Sequence, residues 1–317
     1  MPLRHLMPLL VLLSLAILPL ATPTAHGQSS ATVTPHISED GTIVGAEAVN
    51  IRACPRLDCA VVTTAKLGAS LTVTGDATGG FLPVTIGNET GHAYDLFVAT
   101  ASRGTPELRQ GLPGCSRVAF IFNIGVGYEP DLTILDWLKA NKIPATLFPM
   151  GWWATENQAI LNQMARDGFL IGSHGDERAE LTNRPDGEVI ADLEQAIAAI
   201  EQATGDEPAP YFTPYAGAMD ERIRGIVARA GYIPVSWDVP AADWDFEVTP
   251  DDVFMSVVPN VVDGSIVEFH LDAPSSAKST GVAIRWIVDR LQTKGYDFVT
   301  IAEMALPCPD ANATPRP

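Results

Sequence analysis

The side chains of this sequence whose type and position suggest chemistry are Asn123, His174, Asp243 and His270. Each stands at the end of a predicted apolar strand or in the loop after one, where α/β enzymes often carry catalytic groups. Imidazoles and carboxylates transfer protons and bind divalent metal ions. The first of these strands departs from that chemistry, because the amide of Asn123 cannot take up a proton and its neighbour Ile124 cannot bind a metal.

The elements that must position these side chains follow a regular alternation of strand and helix patterns. Strands are predicted at residues 118–123, 145–149, 169–172, 232–236, 265–269 and 297–301. Three amphipathic helices between them are marked by apolar residues at helical spacing, namely Leu132, Leu135 and Leu138, then Ile160, Leu161 and Met164, then Ile190, Leu193, Ile197 and Ile200. This alternation predicts a parallel sheet or barrel with helices outside it. The four polar side chains are therefore expected to meet in one pocket.

The N-terminal part of the chain predicts export. In residues 1–27 Arg4 precedes an apolar stretch, and the small residues at its end fit a signal cleavage site. An uncleaved membrane anchor is the alternative. Further segments are a flexible leader at 28–42, a small all-β barrel at 43–98, a linker rich in glycine, proline and serine at 99–114, and a tail at 309–317.

Composition and cysteines limit the possible partners and compartment. Hydrophobic residues make up 46% of the chain, which is enough for a sizeable core, and the net charge is −18. Such a charge argues against nucleic acid and against anionic membrane surfaces as partners. Export favours paired cysteines, and of the three possible connectivities we predict Cys54–Cys59 with Cys115–Cys308.

The predicted small barrel resembles a bacterial SH3-type (SH3b) domain. The matching stretches are VNIRACP, KLGASLTVTG and GNETGHAYDLFV, and Phe81 stands where that family usually has tryptophan. Such modules often bind cell-wall peptides or glycans, so the resemblance implies a wall-binding module. A purely structural spacer is the alternative.

Residues 115–308 resemble a polysaccharide deacetylase domain, the NodB-homology fold of carbohydrate esterase family 4. Five landmarks occur in the family's order: VAFIFNIG, FLIGSHGDER, YFTPYAGAMDE, VSWDVPAADW and GSIVEFH. The resemblance implies a distorted (β/α) barrel that removes acetyl groups from N-acetylated sugars. In that family a divalent ion, usually zinc, is held by one aspartate and two histidines, a second aspartate is the general base, and a histidine is the general acid.

Only part of that site carries over to this sequence. The base position is Asn123, and the three metal-ligand positions are Ile124, His174 and Arg178, of which only the histidine is a ligand. The arginine that orients the base falls at Phe212, and a further carboxylate falls at Pro240. The acid position is retained as His270, with Asp243 as its carboxylate support. The resemblance therefore predicts a pseudoenzyme that binds no metal cofactor.

Two alternatives to a glycan-binding pseudoenzyme stay open at this point. An active deacetylase would need a rebuilt site, with zinc or another divalent ion, made from His174, Asp176, Glu129, Asp243 and His270. A non-catalytic scaffold would need no site at all. In a further hypothesis the cation of Arg178 replaces the charge of the metal ion and pairs with Asp243, Asp176 or a ligand carboxylate. Glycan binding predicts a groove with aromatic rings, for which the candidates are Tyr215, Trp244 and Trp152. We predict that Trp237 belongs to the core.

Overall fold

The computed structural model describes residues 38–308 of this chain, and all of them belong to one compact unit. The predicted signal at 1–27 and the predicted tail at 309–317 lie outside the described residues, as does most of the predicted leader. Within the described part, none of the helices combines the length and the apolar character needed to cross a bilayer.

The N-terminal part is a seven-stranded antiparallel sheet in the order β3-β2-β6-β5-β4-β1-β7. Its strands are β1 (Glu39–Ile43), β2 (Ala48–Arg52), β3 (Val61–Lys66), β4 (Ser70–Val73), β5 (Phe81–Ile86), β6 (Glu89–Tyr94) and β7 (Val98–Thr100). Its core contains Ile43, Ile51, Leu71, Leu82 and Val98. Strands with alternating apolar side chains and glycine turns build this sheet, as their sequence pattern predicts.

The predicted leader at 28–42 is wrong at its end, because β1 begins at Glu39. This strand has one large apolar residue, and for that reason its sequence reads as polar. It is held by backbone hydrogen bonds on both sides, since it pairs with β4 over residues 39–42 and with β7 over residues 41–43. Pairing on both edges satisfies the backbone even where side chains contribute little.

The C-terminal part is an α/β domain with parallel strands. Its strands are β8 (Arg117–Ile124), β9 (Thr146–Pro149), β10 (Leu170–Ile171), β11 (Tyr211–Phe212), β12 (Ile233–Pro234), β13 (Val239–Pro240), β14 (Ser265–His270) and β15 (Asp297–Val299). Its helices are α1 (Leu132–Ala140), α2 (Gly151–Glu156), α3 (Gln158–Arg166), α4 (Asp186–Thr204), α5 (Glu221–Arg229), α6 (Pro250–Val257), α7 (Thr280–Thr293) and α8 (Ile301–Met304).

The parallel strands form an open barrel rather than a closed ring. One sheet has the order β10-β9-β8-β14-β13, with β15 paired to the start of β8, and the second sheet pairs β11 with β12. A parallel bridge between Ser173 and Phe212 joins the two sheets directly, and the segment 108–110 bridges both Val235 and Ser265. The six strands predicted from the sequence are all present, and those predicted at 169–172 and 232–236 are reduced to two residues each.

Strand β8 is the central strand, and its two faces belong to different cores. All eight of its residues are buried. Phe122 and Ile124 pack with the helices in the larger core. Ala119 and Ile121 face the interior of the barrel. Because side chains alternate along a strand, Asn123 lies on the interior face with Ile121.

Helix α4 forms where predicted, and its buried face agrees with the expected one in part. The predicted apolar stripe began at Ile190, which is 45% exposed. The predicted Leu193 and Ile200 are buried, and Val189 is buried in place of Ile190. The buried face also includes the small residues Ala196 and Ala203, to which the sequence pattern gave little weight.

The segment predicted as a linker, 99–114, pairs through its backbone with the strands of the α/β domain. Leu108 is buried and forms a parallel bridge with Val235, in which its N–H donates to Pro234 O at 2.8 Å. Gly111 N donates to Gly264 O at 2.9 Å. The absence of a bulky side chain allows this approach, since a Cβ on Gly264 would lie 2.4 Å from Gly111 O. Composition indicated a linker, yet these backbone groups are satisfied by the sheet.

The N-terminal sheet and the α/β domain share one apolar cluster. Phe81, Tyr94 and Leu96 pack in the same buried cluster as Ile121 and Ile266 of the barrel interior. Outside this cluster Gly45 N donates to Ala228 O at 2.8 Å. The two parts are therefore joined by a continuous core.

Both predicted disulfides are confirmed. Cys54 pairs with Cys59 and Cys115 pairs with Cys308, with Cα–Cα distances of 5.6 and 5.7 Å. The second bridge spans 193 residues and ties together the two ends of the α/β domain.

Candidate functional site

A cavity of about 610 Å³ opens at the carboxyl ends of the central parallel strands. Three of the four polar side chains identified from the sequence line it, namely Asn123, His174 and His270. The fourth, Asp243, is fully buried behind His270. The expectation of one shared pocket is thus met by the fold. The remaining lining residues are Gly125, Val126, Tyr128, Met150, Arg178, Tyr215, Ala216, Trp237, Pro240, Trp244 and Glu268.

His270 is held between two carboxylates. Its Nδ1 lies 2.9 Å from Asp243 Oδ1 and its Nε2 lies 3.1 Å from Glu268 Oε1. Asp243 also accepts from the backbone N–H of His270 at 3.1 Å and from Thr280 Oγ1 at 2.6 Å. Both ring nitrogens therefore have a protein partner, and only 15% of the His270 side chain is exposed.

The charge state of this group follows from the competition between burial and ion pairing. Burial by itself would lower the pKa of His270, but the carboxylates of Glu268 and Asp243 outweigh it and raise the pKa to about 9. For Glu268 burial acts in the opposite direction and raises the pKa of the carboxyl group, and the neighbouring imidazolium opposes that shift. At neutral pH we therefore assign His270 as a cation between two carboxylates.

A chain of hydrogen bonds continues from Glu268 across the floor of the cavity. Asn123 Nδ2 donates to Glu268 Oε1 at 3.3 Å, and Asn123 Oδ1 accepts from Thr213 Oγ1 at 2.9 Å. These two neighbours fix the orientation of the Asn123 amide, because the carboxylate of Glu268 can only accept a hydrogen bond and the hydroxyl of Thr213 donates one. Asn123 is 1% exposed, so the amide at the base position satisfies buried polar groups.

His174 is the last member of this series of hydrogen bonds, and its imidazole is neutral. Its Nδ1 lies 3.1 Å from Thr213 O and 2.8 Å from Thr213 Oγ1. A carbonyl oxygen only accepts, so Nδ1 carries the proton and Nε2 is the unprotonated nitrogen. Burial lowers the pKa of His174 to about 3, and repulsion from the His270 cation adds to the effect. With the proton on Nδ1, the ring has the tautomer in which Nε2 can bind a metal ion.

Arg178 lines the cavity without an ion-pair partner among the described residues. Its Nη1 donates to Val126 O at 2.7 Å, and its Cζ lies 5.0 Å from the centre of the Trp152 ring. The hypothesis that Arg178 pairs with Asp243 or Asp176 is therefore wrong for this structure. A carbonyl and an aromatic face hold the guanidinium instead.

The residues present do not fit a catalytic divalent ion. His174 supplies one nitrogen donor, whereas catalytic zinc sites use three protein ligands. Ile124 has no donor atom and packs on the helix side of β8, and Arg178 contributes a permanent cation. Glu129 and Asp176, predicted for a rebuilt site, do not line the cavity. In the described part of the chain no three carboxylate, imidazole or thiol groups are arranged to hold a metal.

The predicted aromatic groove is formed in part. Tyr215 and Trp244 line the cavity, and Trp244 is 58% exposed. Trp152 does not line it and lies beneath Arg178. Trp237, predicted to be core, lines the cavity and is also partly buried against the apolar cluster of the barrel interior. Tyr128, which the sequence analysis missed, lines the rim and contacts Phe246 edge to face at 5.6 Å.

Glu268 is the main site residue that the sequence analysis missed. It stands two residues before His270 in β14, so period-two alternation places both side chains on the same face. A glutamate inside an otherwise apolar buried strand is rarely accommodated without a partner. That position was the available signal. Thr213, which contacts both Asn123 and His174, had no signal beyond its place in the YFTPYAG landmark.

Comparison with known proteins agrees with the fold and the landmarks. Residues 111–235 match the family model described as polysaccharide deacetylase. The chain is 27% identical over 188 residues to the peptidoglycan-N-acetylglucosamine deacetylase PgdA of Listeria monocytogenes, which covers 59% of this chain and 38% of that protein. It is 28% identical over 182 residues to the chitooligosaccharide deacetylase of Azorhizobium caulinodans, covering 54% of this chain and 86% of that protein.

A further relative is the uncharacterized protein YlxY of Bacillus subtilis, 26% identical over 195 residues, which are 62% of this chain and 59% of that protein. The matched region thus spans about two fifths to three fifths of the length of the PgdA and YlxY relatives.

Solved structures give the same architecture. The Bc1960 peptidoglycan N-acetylglucosamine deacetylase, in complex with 4-naphthalen-1-yl-N-oxidanyl-benzamide, has a TM-score of 0.58 at 26% identity, over 62% of this chain and 91% of that one. A carbohydrate esterase family 4 pseudoenzyme from Bacillus anthracis has a TM-score of 0.57 at 23% identity, over 62% and 68%, and supports the fold. The landmarks, the barrel and the family match agree that residues 111–235 belong to a polysaccharide deacetylase domain, in a fold shared with carbohydrate esterase family 4 structures.

Proposed function

We propose that this chain is an exported glycan-binding protein whose deacetylase domain does not carry out metal-dependent deacetylation. The observation that carries the proposal is the engagement of His270 Nε2 by Glu268 at 3.1 Å. A general acid must present a proton to the leaving group, and this proton points to a buried carboxylate. The base position adds to the argument, since both polar atoms of the Asn123 amide are occupied by Glu268 and Thr213.

The cavity itself supports retained binding. It keeps an open volume of about 610 Å³ with Tyr215, Trp237 and Trp244 on its walls. Flat aromatic rings beside a few fixed polar groups are typical of ligand pockets. The related peptidoglycan and chitooligosaccharide deacetylases indicate N-acetylated glycans as the ligand class. The degenerate site motifs favour a glycan-binding protein over an active enzyme. The aromatic side chains that line the cavity favour a glycan-binding protein over a scaffold without a binding site.

The remaining parts of the proposal concern export and the N-terminal sheet. The predicted signal at 1–27 supports export, and so do two disulfides, because such bonds persist in oxidising compartments. We assign the seven-stranded antiparallel sheet as an SH3-like barrel with wall contact as its role. Phe81, at the usual tryptophan position, is 2% exposed and packs toward the α/β domain, so any ligand contact uses other residues of that sheet.

The test combines metal analysis, acetate release and binding on the secreted full chain. We expect substoichiometric zinc, no zinc-dependent release of acetate from chitooligosaccharide or peptidoglycan, and measurable glycan binding by calorimetry. Stoichiometric zinc with acetate release would support the alternative of a rebuilt active site. Absence of binding to every glycan would support the scaffold alternative.

A ring substitution tests the position of the glycan. Trp244→Ala is expected to weaken binding of chitooligosaccharide or peptidoglycan fragments about tenfold, since exposed aromatic side chains in a binding pocket often dominate its affinity. Trp244 is 58% exposed, so its removal should leave the melting temperature nearly unchanged. Trp286→Ala is the matched control, because Trp286 is 45% exposed on α7 and does not line the cavity. Equal affinities for the two variants would remove the cavity from the binding site.

A further inference from the structure

Arg178 differs from the other charged groups that line the cavity, which are Glu268 and His270. Those two pair with each other at 3.1 Å, and Asp243 completes their group. No described carboxylate lies within ion-pair distance of Arg178. Its positive charge is therefore the uncompensated one on the cavity wall.

The loop beside Arg178 is built to hold the guanidinium in place. The buried carboxylate of Asp272 accepts from the backbone N–H groups of Gly125, Val126 and Gly127 at 2.8 to 3.2 Å. This network fixes the loop, so that the carbonyl of Val126 accepts from Arg178 Nη1 at 2.7 Å. The guanidinium is thereby oriented before any ligand arrives, which reduces the entropy lost on binding.

Two further contacts leave the guanidinium little freedom. The Trp152 ring supports it from one side, with the Cζ atom 5.0 Å from the ring centre. Gly127 lies next to both groups: it has a φ of +101°, and a Cβ there would lie 3.1 Å from Arg178 Nη1 and 3.5 Å from the Trp152 ring. A glycine at this position both permits the turn and leaves room for Arg178.

The free edge of Arg178 indicates the chemistry of its ligand. Nη1 is used by Val126, whereas Nε and Nη2 have no acceptor among the described residues. Two parallel N–H groups on one planar edge match the two oxygens of a carboxylate. We propose that Arg178 binds the carboxylate of an anionic sugar, so that the cavity takes carboxylate-bearing glycans in preference to neutral ones. This inference rests on the proposed function, because it names the ligand class of the same cavity.

The net charge of the protein gives a fixed cation in the cavity a specific role. The net charge of −18 disfavours the approach of an anionic polymer. A cation fixed on the cavity wall provides the local attraction that the surface as a whole lacks. Two sources supply the same carboxylate chemistry, namely the lactyl ether of a muramic acid residue and the acid group of a hexuronate.

The experiment measures affinities of the full chain for three oligosaccharides of equal length. One contains N-acetylmuramic acid with a free lactyl carboxylate, one is an oligohexuronate, and one is a neutral chitooligosaccharide. Arg178→Gln is expected to weaken binding of the anionic ligand about tenfold and to leave the neutral ligand unaffected. Arg178→Lys should restore part of the loss, because it keeps the charge but lacks the planar fork.

Arg184→Gln is the matched control from the same loop. Arg184 pairs with Glu177 at 2.8 Å and does not line the cavity, so its removal should not change affinity for any of the three ligands. Melting temperatures of all variants show whether folding is retained, which is expected because Arg178 is exposed.

The outcomes separate the inference from the function on which it rests. If either anionic ligand binds more tightly than the neutral one, and Arg178→Gln removes the difference, the inference is supported. The anionic ligand that binds more tightly then identifies the source of the carboxylate. Equal binding of neutral and anionic ligands, with Arg178→Gln unchanged, overturns the inference and leaves the proposed function intact. Failure of all three ligands to bind overturns both.

Discussion

Replacing Asp243 with alanine is expected to lower the free energy of unfolding by about 3–5 kcal/mol, the usual cost of breaking a buried ion pair from one side. Asp243 is fully buried and accepts three hydrogen bonds, from His270 Nδ1, the His270 backbone N–H and Thr280 Oγ1. The variant leaves a buried imidazolium with one carboxylate fewer and leaves two further donors without an acceptor. Urea unfolding at pH 7 measures the difference.

Two variants control this prediction. Asp243→Asn keeps an acceptor oxygen at the same place, so its loss of stability should be clearly smaller. Asp245→Ala removes an exposed carboxylate two residues away and should change the free energy by less than about 0.5 kcal/mol. If Asp243→Ala were as stable as Asp245→Ala, the ion pair with His270 would not exist in solution.

Raising the pH from 6.5 to about 9 is expected to cost the protein about 3 kcal/mol of stability through His270 alone. The pKa of this histidine is raised in the folded state, so between these values the folded protein holds a proton that the unfolded chain has released. Stability from this group is therefore complete below pH 6.5 and is lost as the pH rises through about 9. Urea unfolding at half-unit pH steps measures the profile.

Substitutions isolate the contribution of His270 from other groups that titrate at high pH. Glu268→Gln removes the carboxylate at Nε2 and should lower the pKa of His270, which NMR of the ring protons records directly. The alkaline fall in stability should then begin at a lower pH. His174→Gln is the control, because the pKa of His174 is lowered to about 3 and affects only the acid side. Superimposable alkaline profiles for wild type and Glu268→Gln would contradict the assigned pair.

Much of the α/β domain was predictable because its signals are local. Apolar runs gave the six strands, and helical spacing of leucines and isoleucines gave three of the helices. The same logic placed Asn123, His174 and His270 at one end of parallel strands. Both disulfides followed from the export reading and the positions of four cysteines.

The parts that the sequence could not provide depend on long-range contacts. Composition indicated a linker at 99–114, yet Leu108 pairs with Val235, more than a hundred residues away. Strand β1 looked like a leader because its stability comes from two neighbouring strands. Glu268 was missed for a different reason: its contact with His270 lies within β14, and the period-two alternation that places both side chains on one face was a local signal left unused.

The shared apolar cluster has a consequence for how this protein tolerates change. Phe81 and Tyr94 of the N-terminal sheet belong to the same cluster as Ile121 and Ile266, which lie directly beneath the polar network of the cavity. Each half also has a core of its own, but removal of the N-terminal sheet would expose the part of the shared cluster that lies beneath Glu268 and His270. A substitution in the part of this cluster that one half contributes therefore changes the packing of the other half, so the two halves depend on each other for stability.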